Sequence, residues 1–134
     1  MEIELKARKL SKGIATGNLL VSRDAISFYG GIDPETGVVV EKGHSLEGKS
    51  IAGKILVFPR GKGSTVGSYI LYRLKKNNRA PNAIINQRCE TIVAVGAIIS
   101  GIPAIDKLEK DAYKMLKNGQ TVTVDGTKGV LILR

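Results

Sequence analysis

The stretch PRGKGSTVGSYIL at residues 59–71 combines cations, glycines and small hydroxyl side chains in front of an apolar helical pattern. A strand-like segment ends at Pro59, just before this glycine-rich loop. Backbone N–H groups at a helix start, aided by the helix dipole, bind anions, and Arg60 and Lys62 add positive charge. The residue types and their spacing therefore predict an anion-binding loop.

Ser64 has two interpretations within this loop. As a helix N-cap it would stabilise the helix by about 1 kcal/mol. Alternatively, its hydroxyl points at a bound substrate and Thr65 caps the helix instead. A self-contained serine hydrolase is disfavoured, because no G-x-S-x-G elbow surrounds Ser64 and the only histidine, His44, is expected at the surface of a polar loop.

Two phosphate-binding motifs are matched only in part. Residues 43–50, GHSLEGKS, fit the P-loop pattern, but the following IAGKILVFP reads as a strand where that motif needs a helix. The glycines of GKGSTVG at 61–67 are spaced one residue too far apart for the dinucleotide fingerprint. Neither a nucleoside triphosphate site nor a Rossmann site is predicted.

Composition limits the function classes. The 134 residues carry a net charge of +9 with 43% hydrophobic residues, which predicts one folded domain over residues 1–134. Cations are scattered and aromatic residues make up only 4%, so nucleic acid is not an expected partner. No segment predicts a membrane span, and the single cysteine, Cys89, is expected to be a partly buried structural thiol in a cytoplasmic protein.

Hydrophobic periodicity predicts a mixed α/β fold with strands at both ends of the chain and helices between them. The helix at 66–77 should bury Val66, Ile70, Leu71 and Leu74, and the helix at 91–100 should end at Gly101. A further helical turn is expected at 111–117. Strands are predicted at 3–10, 14–21, 38–41, 54–58, 83–85 and 102–105, with a closing hairpin at 120–124 and 129–133.

Three segments together, SFYGGIDPETG, HSLEGKSIAGKILVFPRGKGSTVGSYIL and VAVGAIISGIPAI, resemble the swivelling small subunit of aconitase X-type dehydratases over nearly the full length. The resemblance implies a swivelling β/β/α fold like the mobile domain of aconitase. It also implies a heterodimer with a large subunit that carries a [4Fe-4S] cluster and most substrate ligands. This chain would then bind no metal or cofactor itself, which agrees with its single cysteine.

The implied reaction is the dehydration of (R)-5-phosphomevalonate to trans-anhydromevalonate 5-phosphate, a step of an archaeal mevalonate route to isoprenoids. The family's proton-accepting serine corresponds to Ser64. The resemblance also leads us to expect proline in many relatives at the position of Ser45, which bears on the rigidity of that turn. The resemblance further places Gly30, Gly31 and Asp33 near substrate. The other predicted substrate-binding residues belong to the glycine-rich loop: Arg60, Lys62, Gly63 and Thr65.

Two other functions stay open at this point. The chain is either a catalytic subunit or a non-catalytic module that binds anions or assembles with a partner that does all the chemistry. A related aconitase X-type hydroxyacid dehydratase with a different substrate fits the same motifs. Whether Ser64 is required for turnover distinguishes a catalytic subunit from a non-catalytic module.

Overall fold

The computed structural model describes residues 2–134. Its strands share one hydrogen-bonded network in the order β1-β8-β7-β3-β4-β5-β6-β2. The eight strands are β1 (Ile3–Lys6), β2 (Arg8–Ser11), β3 (Ile14–Val21), β4 (Ile55–Phe58), β5 (Ala83–Asn86), β6 (Ala104–Asp106), β7 (Thr121–Asp125) and β8 (Val130–Leu133). The helical elements are a single turn α1 (Phe28–Gly31), α2 (Gly67–Lys76), α3 (Thr91–Ser100) and a 3₁₀ segment (Glu109–Met115).

Strand β3 belongs to two sheets at once. Its first part, Ile14 to Asn18, pairs antiparallel with β7, and its last three residues, Leu19 to Val21, pair in parallel with β4. The antiparallel sheet therefore contains β1, β8, β7 and β3. The mixed sheet contains β3, β4, β5, β6 and β2, of which the first four run parallel.

The alternation of side chains along β4 separates three layers. Ile55 and Val57 point into one core, which they share with Val122 and Val124 of the antiparallel sheet. Leu56 and Phe58 point into the other core, which they share with residues of α2 and α3. Because side chains of a strand alternate between its faces, the mixed sheet lies between the antiparallel sheet and the helices. The arrangement is β/β/α, and the predicted fold class is confirmed.

Helix α2 buries a narrower face than its sequence predicts. Leu71 and Leu74 are fully buried, as expected, and Ile70 is partly buried. Val66 is 42% exposed, so the prediction that its side chain is buried is wrong. The helix begins one residue later, at Gly67, so Val66 lies outside the regular turns whose residues face the sheet.

Helix α3 has the predicted bounds and the predicted end. Gly101 terminates it with φ of 66°, a left-handed conformation that glycine adopts without a steric penalty. At its start the Glu90 carboxylate accepts hydrogen bonds from the backbone N–H groups of Ile92 and Val93. A Cβ on Gly96 would lie 2.7 Å from Leu71, so the small residues of α3 allow close packing on α2.

The strand predictions are confirmed for the central strands and wrong at two places. Residues 3–10 form two strands rather than one, because the chain changes partner at Ala7: β1 pairs with β8 and β2 with β6. Residues 38–41 form only isolated bridges, Ile32–Val39 and Val38–Ser50. The helical turn expected at 111–117 lies slightly earlier, as the 3₁₀ segment. No helix in the described part of the chain is long and apolar enough to cross a membrane.

Candidate active site

The glycine-rich loop continues from β4 and pairs with the segment that follows β3. The backbone N–H of Ile26 donates to the Arg60 carbonyl at 3.1 Å, and the N–H of Lys62 donates to the Ile26 carbonyl at 3.0 Å. These bonds form a parallel bridge between Ile26 and Gly61. The loop therefore lies at the carboxyl edge of the parallel strands, where open α/β sheets bind ligands.

Two glycines of the loop make contacts that a larger residue would prevent. A Cβ on Gly61 would lie 2.6 Å from Val93 and 2.7 Å from the Glu90 carboxylate. Gly63 has φ of 89°, and a Cβ there would lie 2.6 Å from the Ser27 Oγ atom. Both the conformation and the close approach explain why glycine stands at position 63.

Ser64 is exposed at the end of this loop, and its side chain has a structural partner. The Oγ atom accepts a hydrogen bond from the backbone N–H of Val66 at 3.1 Å. Its carbonyl accepts from the N–H of Gly67 at 3.0 Å. The expectation that Thr65 caps the helix in place of Ser64 is wrong: α2 has no side-chain cap bond at its N-cap, Val66.

The two cations of the loop differ in their surroundings. The Lys62 Nζ atom lies 2.9 Å from the Glu41 Oε2 atom and forms an ion pair with it. Within residues 2–134, no carboxylate lies within ion-pair distance of Arg60. Arg60, four residues before Ser64 in the same loop, therefore carries an uncompensated charge, whereas Glu41 neutralises much of the field of Lys62.

The SFYGGIDPETG loop reaches both ends of α2. Gly31 lies beside Ser27 and Glu41, which contact Gly63 and Lys62 respectively, and Gly30 is exposed with open space around it. Asp33 lies further along: its carboxylate accepts from the Glu35 N–H at 2.9 Å. The adjacent Pro34 carbonyl accepts from Asn77, at the C-terminal end of α2. The structure thus brings Gly30 and Gly31 towards the glycine-rich loop and places Asp33 near the opposite end of the helix.

The turn around Ser45 is held by hydrogen bonds. The Ser45 N–H donates to the Asp24 carboxylate at 2.9 Å, a bond that a proline cannot make. This bond lowers the pKa of Asp24. His44 is 7% exposed, with Nε2 3.0 Å from the Ala25 carbonyl oxygen and Nδ1 accepting from the Leu46 N–H, so its predicted surface position is wrong.

Cys89 is a partly buried thiol, as predicted. Burial, together with the carboxylates of Asp106 and Glu90, raises its pKa to about 12. Its backbone N–H donates to the fully buried Asp106 carboxylate, which also receives two hydrogen bonds from the Arg8 guanidinium. A thiol with this pKa is not a nucleophile at neutral pH.

The GHSLEGKS segment does not form a P-loop. Turns occupy most of residues 42–49, and β4 starts at Ile55 with no helix between them. The prediction that this match is fortuitous is confirmed.

Sequence reasoning did not single out Arg88 and Lys107, which line a cavity of about 590 Å³ together with Arg60. Each of the three follows the end of a parallel strand: β4, β5 and β6 respectively. That position is a usable signal, since ligands of open α/β sheets lie beyond the carboxyl ends of the strands.

The β/β/α layers, with a glycine-rich loop at the carboxyl edge of the parallel strands, define a swivel-type domain. The family model for the aconitase X swivel domain matches residues 4–133, and the chain belongs to that family.

Relatives and a solved structure cover almost the whole chain. A protein of Methanosarcina mazei named "Phosphomevalonate dehydratase small subunit" is 63% identical over 131 residues, which cover 98% of this chain and 91% of the relative. A protein of the same name from Thermococcus kodakarensis is 57% identical, covering 95% of this chain and 93% of the relative. The crystal structure of Thermococcus kodakaraensis aconitase X in its holo form superposes with a TM-score of 0.93 at 55% identity, over 98% of both chains.

Proposed function

We propose that this chain is the small subunit of a heteromeric dehydratase that converts (R)-5-phosphomevalonate to trans-anhydromevalonate 5-phosphate. The names of its relatives, each covered along most of its length, support the substrate and the existence of a large subunit. The observation that carries the catalytic part is the exposed Ser64, which lies in the same glycine-rich loop as Arg60, a cation that forms no ion pair within the described residues.

In this proposal Ser64 accepts the proton from the carbon next to the carboxylate. The C–H bond breaks, its electron pair forms the new double bond, and the C–O bond to the hydroxyl breaks, so that hydroxide leaves. Hydroxide becomes water with a proton from the solvent, and Ser64 returns the proton that it accepted to the solvent, which regenerates the alkoxide. A neutral serine is a weak base, so the step requires the alkoxide form. Arg60 and the N-terminal end of α2 supply the positive field that favours an alkoxide.

The donor set of this chain does not fit an iron–sulfur cluster. Such clusters need three or four thiolates, whereas the sequence has one cysteine, whose thiol stays protonated. Within the described residues, no three His, Cys, Asp or Glu side chains are grouped as metal ligands. We therefore assign the cluster to the large subunit. The complex is proposed to work in the cytoplasm, a reducing compartment that suits a free thiol.

A non-catalytic role has one observation in its favour, the hydrogen bond from the Val66 N–H to the Ser64 Oγ atom. This bond gives Ser64 a structural purpose that needs no substrate.

The test is turnover by the co-expressed pair of subunits, purified without oxygen. We expect the pair to remove water from 5-phosphomevalonate, which mass spectrometry detects. This chain alone should show no turnover. A pair that dehydrates other hydroxyacids but leaves 5-phosphomevalonate unchanged would place the chain with the related dehydratases of different substrate.

A further inference from the structure

A cationic groove, defined by Arg60, Arg88 and Lys107, lies at the carboxyl edge of the parallel strands. The three side chains line one cavity of about 590 Å³. Within residues 2–134, none of them has a carboxylate within ion-pair distance. Three uncompensated cations around one cavity attract an anion of more than one negative charge.

The one carboxylate that lines the groove does not neutralise it. Glu90 accepts hydrogen bonds from the N–H groups of Ile92 and Val93, so the positive N-terminal end of α3 compensates its negative charge. The buried Asp106 carboxylate, beneath the same edge, is bound by Arg8 and by the Cys89 N–H. Both acids thus have partners of their own, and the cations of the groove remain available.

Hydrogen bonds between the three loops fix the backbone of the groove. The Pro59 carbonyl accepts from the N–H groups of both Gln87 and Arg88 at 3.2 Å. The Gln87 carbonyl in turn accepts from the Lys107 N–H. Lys107 has φ of 52°, a left-handed conformation that a non-glycine residue keeps only where its surroundings impose it. The cations are therefore attached to a preorganised frame.

Arg60 connects the groove to the candidate base. It lies four residues before Ser64, and such a segment spans at most about 14 Å. In 5-phosphomevalonate about five bonds, or about 6 Å, separate the carbon that loses its proton from the phosphorus atom. One substrate molecule can then face Ser64 at one end and the groove at the other, given the length of the arginine side chains.

We propose that this groove binds the phosphate group of the substrate, with Arg88 and Lys107 as specificity-determining residues. The proposal rests on the proposed function for the identity of the phosphate ester. A dianionic phosphate matches the charge of three cations that line one cavity, and the guanidinium of arginine binds its oxygens with two parallel hydrogen bonds. An acidic surface of the large subunit is the competing occupant, and it is an outcome of the test.

The test compares Arg88→Gln and Lys107→Gln with Lys49→Gln, an exposed cation outside the groove, in the complex with the large subunit. For each groove variant we expect KM for 5-phosphomevalonate to rise about tenfold to hundredfold, the loss typical of a hydrogen bond to a charged group. kcat should change by less than about threefold, because the bond is present in both ground and transition states. Lys49→Gln should match the wild type.

Calorimetric titration of the same complexes with inorganic phosphate separates this proposal from the proposed function. Saturable phosphate binding by the wild-type complex that is weakened about tenfold or more by Arg88→Gln supports the groove, even if 5-phosphomevalonate is not the substrate. Groove variants with KM and phosphate affinity within about threefold of wild type overturn the proposal. Variants that bind the large subunit more weakly, yet keep KM once assembled, also overturn it and assign the groove to subunit contact.

Discussion

Lys62 and Glu41 form an ion pair across the candidate site, with the Nζ atom 2.9 Å from Oε2. The pair joins the glycine-rich loop to the segment 21 residues earlier. Its side chains are 45% and 31% exposed, so its contribution to stability is that of a surface pair, about 0–1 kcal/mol. Its larger effect is electrostatic: Glu41 compensates Lys62, one of the two cations, with Arg60, that the sequence suggests for the site.

Arg60 and Lys62 should therefore differ in their importance for turnover. We expect Arg60→Gln to lower kcat/KM by at least about tenfold, equal to about 1.4 kcal/mol. Lys62→Gln should stay within about threefold of wild type, since Glu41 already compensates its charge. Steady-state kinetics of the complex at one ionic strength measures both. A larger loss for Lys62→Gln than for Arg60→Gln would contradict this ranking.

Ser64→Ala tests the proton acceptor. If Ser64 is the base, kcat should fall by about 10²–10⁴, because the hydroxyl is lost while Arg60 and the backbone of the loop remain. The variant also loses the bond from the Val66 N–H, which should cost about 1 kcal/mol of stability. Thermal melting of the same samples reports that part separately.

Thr65→Ala is the matched control for Ser64→Ala. No side-chain cap bond fixes the start of α2 at its N-cap, so we expect little change in either melting temperature or turnover. A Ser64→Ala complex that turns over within about tenfold of wild type would place the base on the large subunit and leave Ser64 a structural role.

Because Gly63 lies close to Ser27, we expect the stability cost of Gly63→Ala to depend on the side chain at position 27. Gly48→Ala, with φ of 82° and open space, should lower the free energy of unfolding by about 1–2 kcal/mol through backbone strain alone. Gly63→Ala should cost about 1 kcal/mol more, because its Cβ would also lie 2.6 Å from the Ser27 Oγ atom. In a Ser27→Ala background that excess should shrink. Equal costs in both backgrounds, measured by urea unfolding, would show that the contact is relieved in another way.

Cys89 predicts a loss of stability at alkaline pH. Folding raises the pKa of its thiol from 9.0 to about 12, so the stability is present below the unfolded pKa and is lost as pH rises towards the folded value. Burial likewise raises the pKa of Tyr113 from 10.0 to about 12, so Tyr113 adds to the loss of stability only at higher pH. Between pH 9 and 10, wild type should therefore lose more stability than Cys89→Ala. Urea unfolding at each pH measures the difference. Parallel curves for the two proteins would argue against this pKa.

Alkylation by iodoacetamide gives an independent reading of the same thiol. At pH 8 the folded chain should react far more slowly than the urea-unfolded chain, since only the thiolate reacts. Equal rates for the folded and unfolded chains would contradict the raised pKa.

The central strands and both main helices follow from local sequence patterns. Apolar and β-branched runs identify β4 and β5, and the small residues of 91–100 with Gly101 identify α3 with its bounds. The strand prediction for residues 38–41 is wrong, because a run of β-branched residues does not by itself supply a neighbouring strand to pair with along its length. Likewise, the burial of His44 depends on the Ala25 carbonyl, a distant partner that no local pattern reveals.

The candidate site is predictable in part. The glycine-rich loop, Ser64 and Arg60 are visible in the sequence, because glycine, hydroxyl and cation stand together before a helix. The compensation of Lys62 by Glu41 is not visible, since it depends on how two separate loops meet. Arg88 and Lys107 fall between these cases: applying the strand-end rule to every predicted parallel strand, and not only to β4, would have found them.

The single residue Ala7 between β1 and β2 has a consequence for how the protein forms. These two strands lie at opposite ends of the strand order, and β1 pairs with β8, from Ile3–Leu133 to Lys6–Val130. A ribosome delivers residues 3–11 before every residue that they pair with. Until β8 emerges, the nascent chain has unpaired strand edges, which are open to wrong partners. Pairings between such distant residues also form slowly, so this segment is made early and joins the sheet late.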